Sequence, residues 1–587
     1  MKIIPLVLLS LSILPVFAEK SGDVRPLEWV AWSDDVFAQA KREKKFVLLD
    51  LEAIWCHWCH VMDETTYKDP ATIALLRSKY ILVRVDQDSR PDLSNRYEDY
   101  GWPATIVFDG GGKEIVKRRG YIPPLQMSSM LRAIIKDPTP GPSVIAEQAV
   151  KFATSPLLSA EIRKELQASY VKSYDFQHGS WGFDQKVLDW DGVEYAIALA
   201  RRGDSQASKM ATQTLDAQRS LIDPVWGGVY QYSTDGDWKE PHFEKIMQMQ
   251  AEDLRVYSLG YLQWHRPQDL KSARDIERFL RTFLLSPDGA FYTSQNADVV
   301  NGRHSADYFK LDDAGRRKQG IPHVDRHIYA RENGWAINAV ASLFEATGDP
   351  SYLAEAKRAA QWIVANRALP GGGFKHGDAD AAGPYLADTL AMSRAFATLY
   401  AATGDREWLK RAADGMKFIA ANFKNTQGAG FITSRIPTDH AYQPRPERDE
   451  NVILARTANL LFHYTGDAGM RKTAEESMRY IVTPQIARGH FGAGTLLTEI
   501  ELAAQPVHLT IVGHKDDPEA MKLFLTAMQY PSGYKRVEWW DKRDGALPHA
   551  DVDYPELKQA AAFVCTEKSC SSPILKAEQL LAKADRL

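Results

Sequence analysis

The amino-acid sequence predicts three structural parts: a small α/β domain, a closed ring of α-helices, and a minor α/β appendage. Helical and strand patterns alternate over residues 27–136 of the 587, and strand patterns almost vanish from about residue 145 to 500. A mixed pattern returns after Pro506. These changes predict the α/β domain at 19–136, a linker at 137–143, the helical ring at 144–504, and the appendage with a C-terminal tail at 505–587.

The first domain contains helical and strand patterns in regular succession. Its apolar periodicity predicts helices at 32–45, 61–80 and 125–135 and buried strands at 46–51 and 81–86. A hairpin is predicted from 105–109 and 115–119, joined across three consecutive glycines. The segment 137–142 reads Asp-Pro-Thr-Pro-Gly-Pro, which cannot continue a helix or a central strand, so it is the predicted linker.

The helical ring is predicted from a repeated turn. In each repeat a glycine ends one amphipathic helix and an aspartate caps the next, as between the predicted helices 334–346 and 352–366. The three turns are Thr347-Gly348-Asp349, Thr403-Gly404-Asp405 and Thr465-Gly466-Asp467. Six glycine-rich loops with an aromatic residue mark six helical hairpins: 179–183, 227–230, 289–291, 371–374, 428–431 and 491–494. Six hairpins form either a linear solenoid or a closed ring, and the clustering of long polar connections favours a ring with a concave mouth.

The appendage is predicted from strands at 508–513 and 536–540 around a helix at 518–529. Residues 560–564 lead to Cys565 and Cys570, and a polar helix runs to Leu587. Because these cysteines are close in sequence, we expect a local structural disulfide between them. The alternative is a shuttle that exchanges with Cys56 and Cys59, which requires the two ends of the chain to meet.

The composition restricts the classes of function. Hydrophobic residues make up 44% and charged residues 25%, as in ordinary globular proteins. The 72 basic and 76 acidic residues give a net charge of −4 without a long run of one sign, which argues against nucleic acid as a partner.

The N-terminal segment has the pattern of a secretory signal. Lys2 is followed by an apolar run over 3–17 that ends at Ala18, before Glu19 and Lys20. The run is shorter than the roughly 20 residues of a membrane span. We therefore expect cleavage after residue 18 and a periplasmic or secreted protein without a membrane span, with an uncleaved anchor as the alternative.

The main candidate for catalysis is the motif Cys56-His57-Trp58-Cys59, which lies between a buried strand and a helix. At a helix start, the unpaired amides, the helix dipole and a protonated His57 favour a Cys56 thiolate, so Cys56 is the predicted nucleophile. Cys59 is close enough to resolve a mixed disulfide. Cys-X-X-Cys-His also matches c-type haem attachment, and two cysteines with two histidines can bind zinc. We favour a redox dithiol without metal or cofactor.

The surroundings of this motif resemble the thioredoxin superfamily, which also has a strand, a Cys-X-X-Cys helix start and a proline loop before a hairpin. The resemblance places Asp50 at the position of the buried acid, Trp55 before the dithiol, and Pro103 at the cis-proline that aligns bound peptide. It implies that Asp50 relays a proton to or from Cys59, although a purely structural acid is the alternative. The unusual His57-Trp58 dipeptide leaves the direction of electron flow open.

A narrower resemblance extends over most of the chain. Five ordered motifs resemble the large thioredoxin-domain family that includes the spermatogenesis-associated protein 20 group: 56–62, 241–245, 296–298, 449–451, and Cys565 with Cys570. The segment 179–186 fits that family only loosely. The resemblance implies a helical part similar to six-hairpin glycosidases and sugar 2-epimerases. The expected fold is therefore an α/β thioredoxin-like domain, an all-α (α/α)6 toroid, and a small C-terminal α/β appendage.

Several acidic residues and one histidine are candidates for a ligand site at the toroid mouth. Glu332, Asp388 and Glu450 each lie seventeen residues before a turn aspartate, and Glu252 has the same offset from Asp269. Each is expected to open an inner helix, either contacting a sugar or simply favouring the helix dipole. A second group either contacts a sugar or has a structural role, namely His242 and Glu244 at a predicted helix start, with Trp181, Trp226, Trp238 and Trp335.

These features lead to one preferred function and two alternatives. We expect an extracytoplasmic thiol-disulfide oxidoreductase that acts on client protein thiols or on a redox partner protein. The first alternative is a carbohydrate-active or carbohydrate-binding toroid with an accessory redox domain. The second is a non-catalytic interaction protein whose ring docks a redox client.

Overall fold

The computed structural model describes residues 26–145, 150–378, 380, 382–435, 443–489, 492–555, 557–566 and 569–586. The predicted signal segment at 1–18 lies outside these residues. Across the described ranges, every helix is too short or too polar to cross a lipid bilayer.

The first domain has a thioredoxin-like fold with a mixed five-stranded sheet in the order β1-β3-β2-β4-β5. Strands β1, β3 and β2 are parallel, whereas β4 and β5 are antiparallel to their neighbours. Apolar clusters cover both faces of the sheet, which is therefore central to the domain. The elements are β1 Trp29–Val30, α1 Asp34–Glu43, β2 Phe46–Glu52, α2 His57–Glu64, α3 Pro70–Lys79, β3 Tyr80–Asp86, α4 Pro91–Tyr97, β4 Ala104–Phe108, β5 Glu114–Arg119 and α5 Pro124–Lys136.

The prediction of one helix over 61–80 was wrong. Helix α2 ends at Glu64, a single 3-10 turn follows at Thr66–Lys68, and α3 begins at Pro70. Proline has no backbone N–H and is suited to the first turn of a helix. Asp69 caps this turn, because its carboxylate accepts a hydrogen bond from the Thr72 N–H at 2.8 Å. Strand β1 and helix α4 were not predicted.

The helical part is a closed (α/α)6 toroid, as predicted. Its inner helices α7, α9, α13, α15, α17 and α20 each pack against the next, and α20 packs against α7 to close the ring. The outer helices α8, α10, α14, α16 and α18 each follow their inner partner, whereas α20 pairs with α6 from the start of the domain. The bounds are α6 Ala160–Lys172, α7 Trp190–Ala200, α8 Ser205–Gln218, α9 Met247–Trp264, α10 Pro267–Phe279, α11 Ala306–Phe309, α12 Asp313–Gln319, α13 Ala330–Thr347, α14 Pro350–Arg367, α15 Leu386–Thr403, α16 Arg406–Asn422, α17 Arg448–Thr465, α18 Ala468–Ile481, α19 Pro484–Ala487 and α20 Ala493–Ala503.

Short strands lie in the loops at one end of the toroid. They form a three-stranded sheet in the order β10-β11-β12 and the pairs β6-β7 and β8-β9. The bounds are β6 Tyr174–Asp175, β7 Ser180–Trp181, β8 Tyr232–Ser233, β9 Pro241–His242, β10 Lys245–Ile246, β11 Ser294–Gln295 and β12 Val324–Asp325.

The repeated features of the sequence have repeated structures. Gly348, Gly404 and Gly466 end their helices at φ values of 70°, 62° and 69°, and the aspartate that follows each glycine caps the next helix. The aromatic loops also repeat, since four of them close through a single β-bridge: Ile222–Val229, Leu285–Phe291, Ala368–Phe374 and Lys424–Phe431. The predicted sixth loop begins at residue 491, which lies outside the described residues.

The appendage has a three-stranded sheet in the order β14-β13-β15. Strand β13 is parallel to β14 and antiparallel to β15. Cys565 at the end of β15 forms a disulfide with Cys570. The elements are β13 Val507–Val512, α21 Pro518–Met528, β14 Lys535–Trp540, β15 Ala561–Cys565 and α22 Ala577–Ala584.

The thioredoxin-like domain and the appendage cover opposite ends of the toroid. At the starts of the inner helices, Asn95 Nδ2 donates a hydrogen bond to Glu450 Oε1 at 2.8 Å. At their ends, Lys515 Nζ donates to the Gly404 carbonyl at 3.0 Å. Inner helices of 18 residues are about 27 Å long, and the two disulfides lie in domains that contact opposite ends of these helices. The shuttle alternative requires them to meet and therefore does not fit this fold.

Ion pairs cross the interior of the toroid between its two ends. Glu194 accepts hydrogen bonds from Arg255 at 2.9 Å and from Arg456 at 2.6 Å. Glu252 accepts from Arg255 and from Arg394, each at 2.6 Å. This network lies between a cavity that faces the thioredoxin-like domain and a second cavity that faces the appendage.

Candidate redox site at the domain interface

The predicted dithiol is a disulfide at the start of α2. Cys56 is the N-cap residue of this helix and is bonded to Cys59. The Cys59 N–H donates a hydrogen bond to Cys56 Sγ at 3.1 Å, which is the contact that would stabilise a thiolate on Cys56. Both cysteines are buried, with only 3% of each exposed. The residues around the disulfide therefore shield both sulfur atoms from solvent.

The proline loop packs against the disulfide. The Trp102–Pro103 peptide bond is cis and leads directly into β4. Trp102 packs on the small apolar cluster that contains both cysteines, and its ring lies 5.7 Å from that of Trp55 in an edge-to-face arrangement. The loop thus occupies the position that the thioredoxin resemblance implies.

Asp50 lies on β2 beneath the dithiol helix, opposite Arg84 on β3. Arg84 Nη2 donates hydrogen bonds to Asp50 at 3.0 Å and to Asp63 at 2.5 Å. Burial raises the pKa of Asp50 to about 6, although the positive charge of Arg84 opposes the shift. Asp50, Glu52 and Asp63 approach one another closely, and the Arg84 guanidinium lies among them as their counter-charge.

Two acids of the toroid contact the dithiol helix. Glu244 Oε1 accepts a hydrogen bond from the His57 N–H at 3.1 Å. Asp298 contacts both motif histidines, with 2.7 Å between its Oδ1 and His57 Nδ1 and 3.1 Å between its Oδ2 and His60 Nδ1. The motifs at 241–245 and 296–298 therefore meet the Cys-X-X-Cys motif in space. Sequence reasoning singled out these motifs but assigned no role to Asp298.

Each ring nitrogen of His60 contacts an oxygen atom. Its Nε2 lies 3.1 Å from the Ile54 carbonyl oxygen, which only accepts hydrogen bonds. Its Nδ1 faces the Asp298 carboxylate. The two contacts hold the His60 ring between the end of β2 and the toroid loop that carries Asp298.

The toroid changes the electrostatics of the helix start. Burial alone would lower the pKa of His57, but the hydrogen bond and charge of Asp298, together with the charge of Glu244, raise it above its ordinary value. Burial also raises the pKa of Glu244. An ionised Glu244 would oppose a thiolate on Cys56, whereas a protonated Glu244 leaves the helix dipole available to the sulfur.

The predicted placement of His242 and Glu244 at a helix start was wrong. They lie in and beside the short strands β9 and β10, and α9 begins only at Met247. His242 stacks on Tyr232 with 4.2 Å between ring centroids, and burial lowers its pKa to about 4. Glu244 faces the dithiol helix. Neither residue lines the cavity at the toroid mouth, because the loops carry them beneath the thioredoxin-like domain.

Glu332, Asp388 and Glu450 lie in the first turns of α13, α15 and α17. Glu252 lies in the second turn of α9. Glu332 accepts hydrogen bonds from the Arg331 side chain of its own helix, at 2.8 Å and 2.5 Å. Among the described contacts, Asp388 and Glu450 accept none from their own helices. Asp388 Oδ1 instead accepts from the Arg331 N–H at 2.8 Å and lies 2.9 Å from His376 Nδ1. Asp388 and Glu450 therefore join neighbouring elements at the mouth.

His376 links the toroid mouth to the thioredoxin-like domain. Its Nε2 lies 2.7 Å from the Asp88 carbonyl oxygen. Burial would lower its pKa, but the charge of Asp388 raises it above the ordinary value. The aromatic candidates divide into two groups: Trp181, Trp226 and Trp238 are buried in the toroid core, whereas Trp335 lines the mouth cavity.

Residues 19–136 match the family described as "Thioredox_DsbH: Protein of unknown function, DUF255". The N-terminal domain belongs to this family. Within the Thioredox_DsbH match, residues 56–60 carry the disulfide and both histidines that the toroid contacts. The match covers the predicted α/β domain and does not extend into the toroid.

Curated relatives extend the similarity beyond the Thioredox_DsbH domain. The chain is 22% identical over 553 residues to "Uncharacterized protein B0495.5" of Caenorhabditis elegans, covering 72% of this chain and 75% of that protein. It is 26% identical over 308 residues to spermatogenesis-associated protein 20 of Mus musculus, covering 46% of this chain. The chain spans 39% of the length of that mouse protein.

A further relative is similar only at the dithiol domain. The chain is 37% identical over 97 residues to thiol:disulfide interchange protein DsbD 1 of Pseudomonas aeruginosa, covering 16% of each protein. Among solved structures, cellobiose 2-epimerase from Bacillus thermoamylovorans B4167 matches 55% of this chain and 86% of that chain, with 13% identity and a TM-score of 0.42.

Proposed function

We propose that this protein is an extracytoplasmic thiol-disulfide oxidoreductase whose dithiol is covered and positioned by its own toroid. The main support is the Cys56–Cys59 disulfide at a helix start, beside the cis peptide bond of Pro103 in a thioredoxin-like domain. Similarity to a thiol:disulfide interchange protein over this domain adds support. The apolar run before Ala18 supports the extracytoplasmic setting.

The proposed reaction moves two electrons through Cys56. In the reduced protein, the Cys56 thiolate attacks a client disulfide, forming one mixed disulfide and releasing the other client sulfur as a thiolate that takes up a proton. Cys59 then loses its proton and attacks Cys56 Sγ. The Cys56–Cys59 bond closes and the second client sulfur leaves as a thiol. The same steps in reverse oxidise a client dithiol.

The surrounding groups assist with protons and charge. Asp50, with its raised pKa, accepts the proton of Cys59 through a water molecule, while Arg84 holds its carboxylate in place. A protonated His57 stabilises the developing thiolate on Cys56. Pro103 aligns the backbone of a bound client.

The toroid controls access to the sulfur atoms. Because only 3% of each cysteine is exposed, a folded client reaches Cys56 only after α2 separates from the loops that cover it. Glu244 and Asp298 hold those loops on α2 through the His57 N–H and the two motif histidines. Breaking these polar contacts is therefore the first step of client binding.

Trapping with glutathione tests the proposal on the full chain. The reduced Cys59→Ala variant is mixed with glutathione disulfide and analysed by intact-mass spectrometry. We expect one glutathione per chain, attached through Cys56 and removed by dithiothreitol, because the resolving thiol is missing. The reduced wild-type protein should instead regain the Cys56–Cys59 disulfide and release two glutathione thiols for each such disulfide formed.

The matched controls are Cys56→Ala and the double variant without either cysteine. Cys56→Ala should form the adduct more slowly, since Cys59 lacks the helix-start position, and the double variant should form none. The proposal is wrong if folded Cys59→Ala forms no adduct while the same protein does so once unfolded in urea. That outcome would show that the Cys56 thiol cannot react with a disulfide while the protein is folded.

A further inference from the structure

A cavity of about 180 Å³ lies between the thioredoxin-like domain and the toroid mouth. We call it the interdomain chamber. Trp55, Asn95 and Trp102 line it from the first domain, and Glu332, Trp335 and Glu450 line it from the inner helices α13 and α17. Because one water needs roughly 15 Å³ of such volume, the chamber has room for a small organic molecule.

The lining of the chamber carries more negative than positive groups. Its acids are Asp88, Glu98, Glu332, Glu447, Asp449 and Glu450, and its bases are Arg331 and Arg394. Both arginines are already engaged. Arg331 Nη2 donates to Glu332 at 2.5 Å, and Arg394 Nη1 donates to Glu252 at 2.6 Å. Arg448 Nη1 also pairs with Asp449 at 2.8 Å. Glu98, Glu447 and Glu450 have no described ion pair, and burial together with neighbouring acids raises the pKa of each. A cation in the chamber would favour the charged form of these groups.

Two of these carboxylates have an unused hydrogen-bond acceptor. Glu332 is 2% exposed and Glu450 is 9% exposed. Among the residues that the structure describes, Oε2 of each has no hydrogen-bond partner. Glu450 makes one described hydrogen bond, from Asn95 Nδ2 to its Oε1, and has no described ion pair. Buried acceptors of this kind are costly unless a donor from a ligand or solvent satisfies them.

Aromatic rings form part of the chamber wall. Trp55 and Trp102 pack edge to face at 5.7 Å and both line the chamber. Trp335 already contacts a cation, since the Arg331 guanidinium lies 4.9 Å from its ring centroid. Indole rings next to carboxylates favour organic cations, which gain from both the ring faces and the negative charge.

We propose that the interdomain chamber binds a small organic cation with a primary ammonium group, which donates hydrogen bonds to Glu450 and Glu332. An ammonium group supplies three donors and a positive charge, which suit the unpartnered Oε2 atoms of Glu332 and Glu450. A neutral polyol supplies hydroxyl donors but leaves the carboxylate charge unbalanced. The interdomain chamber is a separate site from the Cys56–Cys59 disulfide. This inference therefore does not rest on the proposed redox reaction.

The experiment compares probes of matched shape by isothermal titration calorimetry on the full-length protein in its disulfide form. The probes are 1,4-diaminobutane, ethanolamine, the neutral diol 1,4-butanediol, and glucose. We expect saturable binding of 1,4-diaminobutane at one site per chain. Ethanolamine should bind more weakly, since it has one ammonium group, and the two neutral probes should bind at least tenfold more weakly than the diamine.

Conservative variants locate the site. Glu450→Gln keeps the shape of the side chain and the oxygen that accepts from Asn95 but removes the charge, so we expect at least a tenfold loss of diamine affinity. Glu332→Gln should also weaken binding. The matched control is Glu407→Gln on the outer helix α16, where the exposed glutamate pairs with Arg411 and the affinity should be unchanged. Circular dichroism melting verifies that each variant is folded.

Several outcomes would overturn the inference. It fails if the wild-type protein shows no saturable binding of either amine, or if 1,4-butanediol or glucose binds as tightly as the diamine. It also fails if folded Glu450→Gln and Glu332→Gln both keep the wild-type affinity, because the amine would then bind elsewhere. Glucose binding that depends on Glu450 would favour a carbohydrate site in its place.

Discussion

At the scale of single residues, Asp298 is one of two toroid acids that contact the dithiol helix. Its two oxygens reach His57 and His60, so one carboxylate orients both motif histidines. Asp298 and His57 are 241 residues apart, and local sequence patterns do not show which distant loops meet. The positions of Cys56 at a helix start and Asp50 in a buried strand were predictable from the sequence. The contacts of Asp298 became visible only in the folded chain.

We predict that Asp298→Asn speeds reduction of the Cys56–Cys59 disulfide by dithiothreitol. Charged hydrogen bonds contribute about 2 kcal/mol, so local opening should become roughly 30-fold more frequent near pH 6. The measurement is the ratio of the variant and wild-type reduction rates at each pH, in which the ionisation of the reductant cancels. The exposed Asp516→Asn is the control, with an expected ratio close to one.

The same ratio should depend on pH in a defined direction. The pKa of His57 is raised in the closed structure, so its stabilising contact is complete below the ordinary value of about 6.5 and is lost as the pH rises through the raised value. The ratio should therefore fall from pH 6 towards higher pH. Glu244 and His304 also face His57, and His60 shares Asp298 with it, but all three are present in both proteins. A ratio that stays constant over this range would contradict the assignment.

At the scale of elements, helix ends were more predictable than helix partners. The predicted pair 334–346 and 352–366 corresponds to α13 at Ala330–Thr347 and α14 at Pro350–Arg367, because glycine and aspartate mark both sides of the turn. Asp69 and Pro70 give a similar signal for the break between α2 and α3. The apolar periodicity continues across this break, so the prediction was a single helix. The pairing of α6 with α20 had no such signal, since these helices come from opposite ends of the domain.

The repeated turns allow a matched test of packing. We predict that Gly348→Ala destabilises the toroid by about 1 kcal/mol, because alanine at φ 70° is strained. Gly404→Ala should cost more, since its new Cβ would lie 3.1 Å from Trp539 Cβ, whereas the nearest atom at Gly348 is 3.9 Å away. The helical melting temperature measures both. Equal melting temperatures for the two variants would show that the appendage moves to accommodate the added methyl group at position 404.

At the scale of the whole molecule, the toroid keeps the two disulfides apart. The composition and the changes of pattern along the chain predicted the three kinds of structure. They did not predict that the first domain would cover the mouth with its own dithiol facing inwards, because the orientation of a domain depends on contacts such as Asn95 with Glu450.

We predict that the double variant Cys565→Ala/Cys570→Ala leaves the reduction potential of Cys56 and Cys59 unchanged within about 10 mV. For a dithiol, a tenfold change in the redox equilibrium constant corresponds to about 30 mV. The two pairs lie in domains at opposite ends of inner helices about 27 Å long, which prevents sulfur contact between them. Titration in glutathione buffers, followed by alkylation and mass spectrometry, measures the potential. A shift well beyond 30 mV would mean that the two pairs exchange.

The covered ends and the internal ion pairs also limit what can pass through the ring. Arg255, Arg394 and Arg456 cross the interior with their glutamates, and a domain lies over each opening. A linear polymer such as a polysaccharide or an extended peptide therefore cannot thread through the centre and move along it.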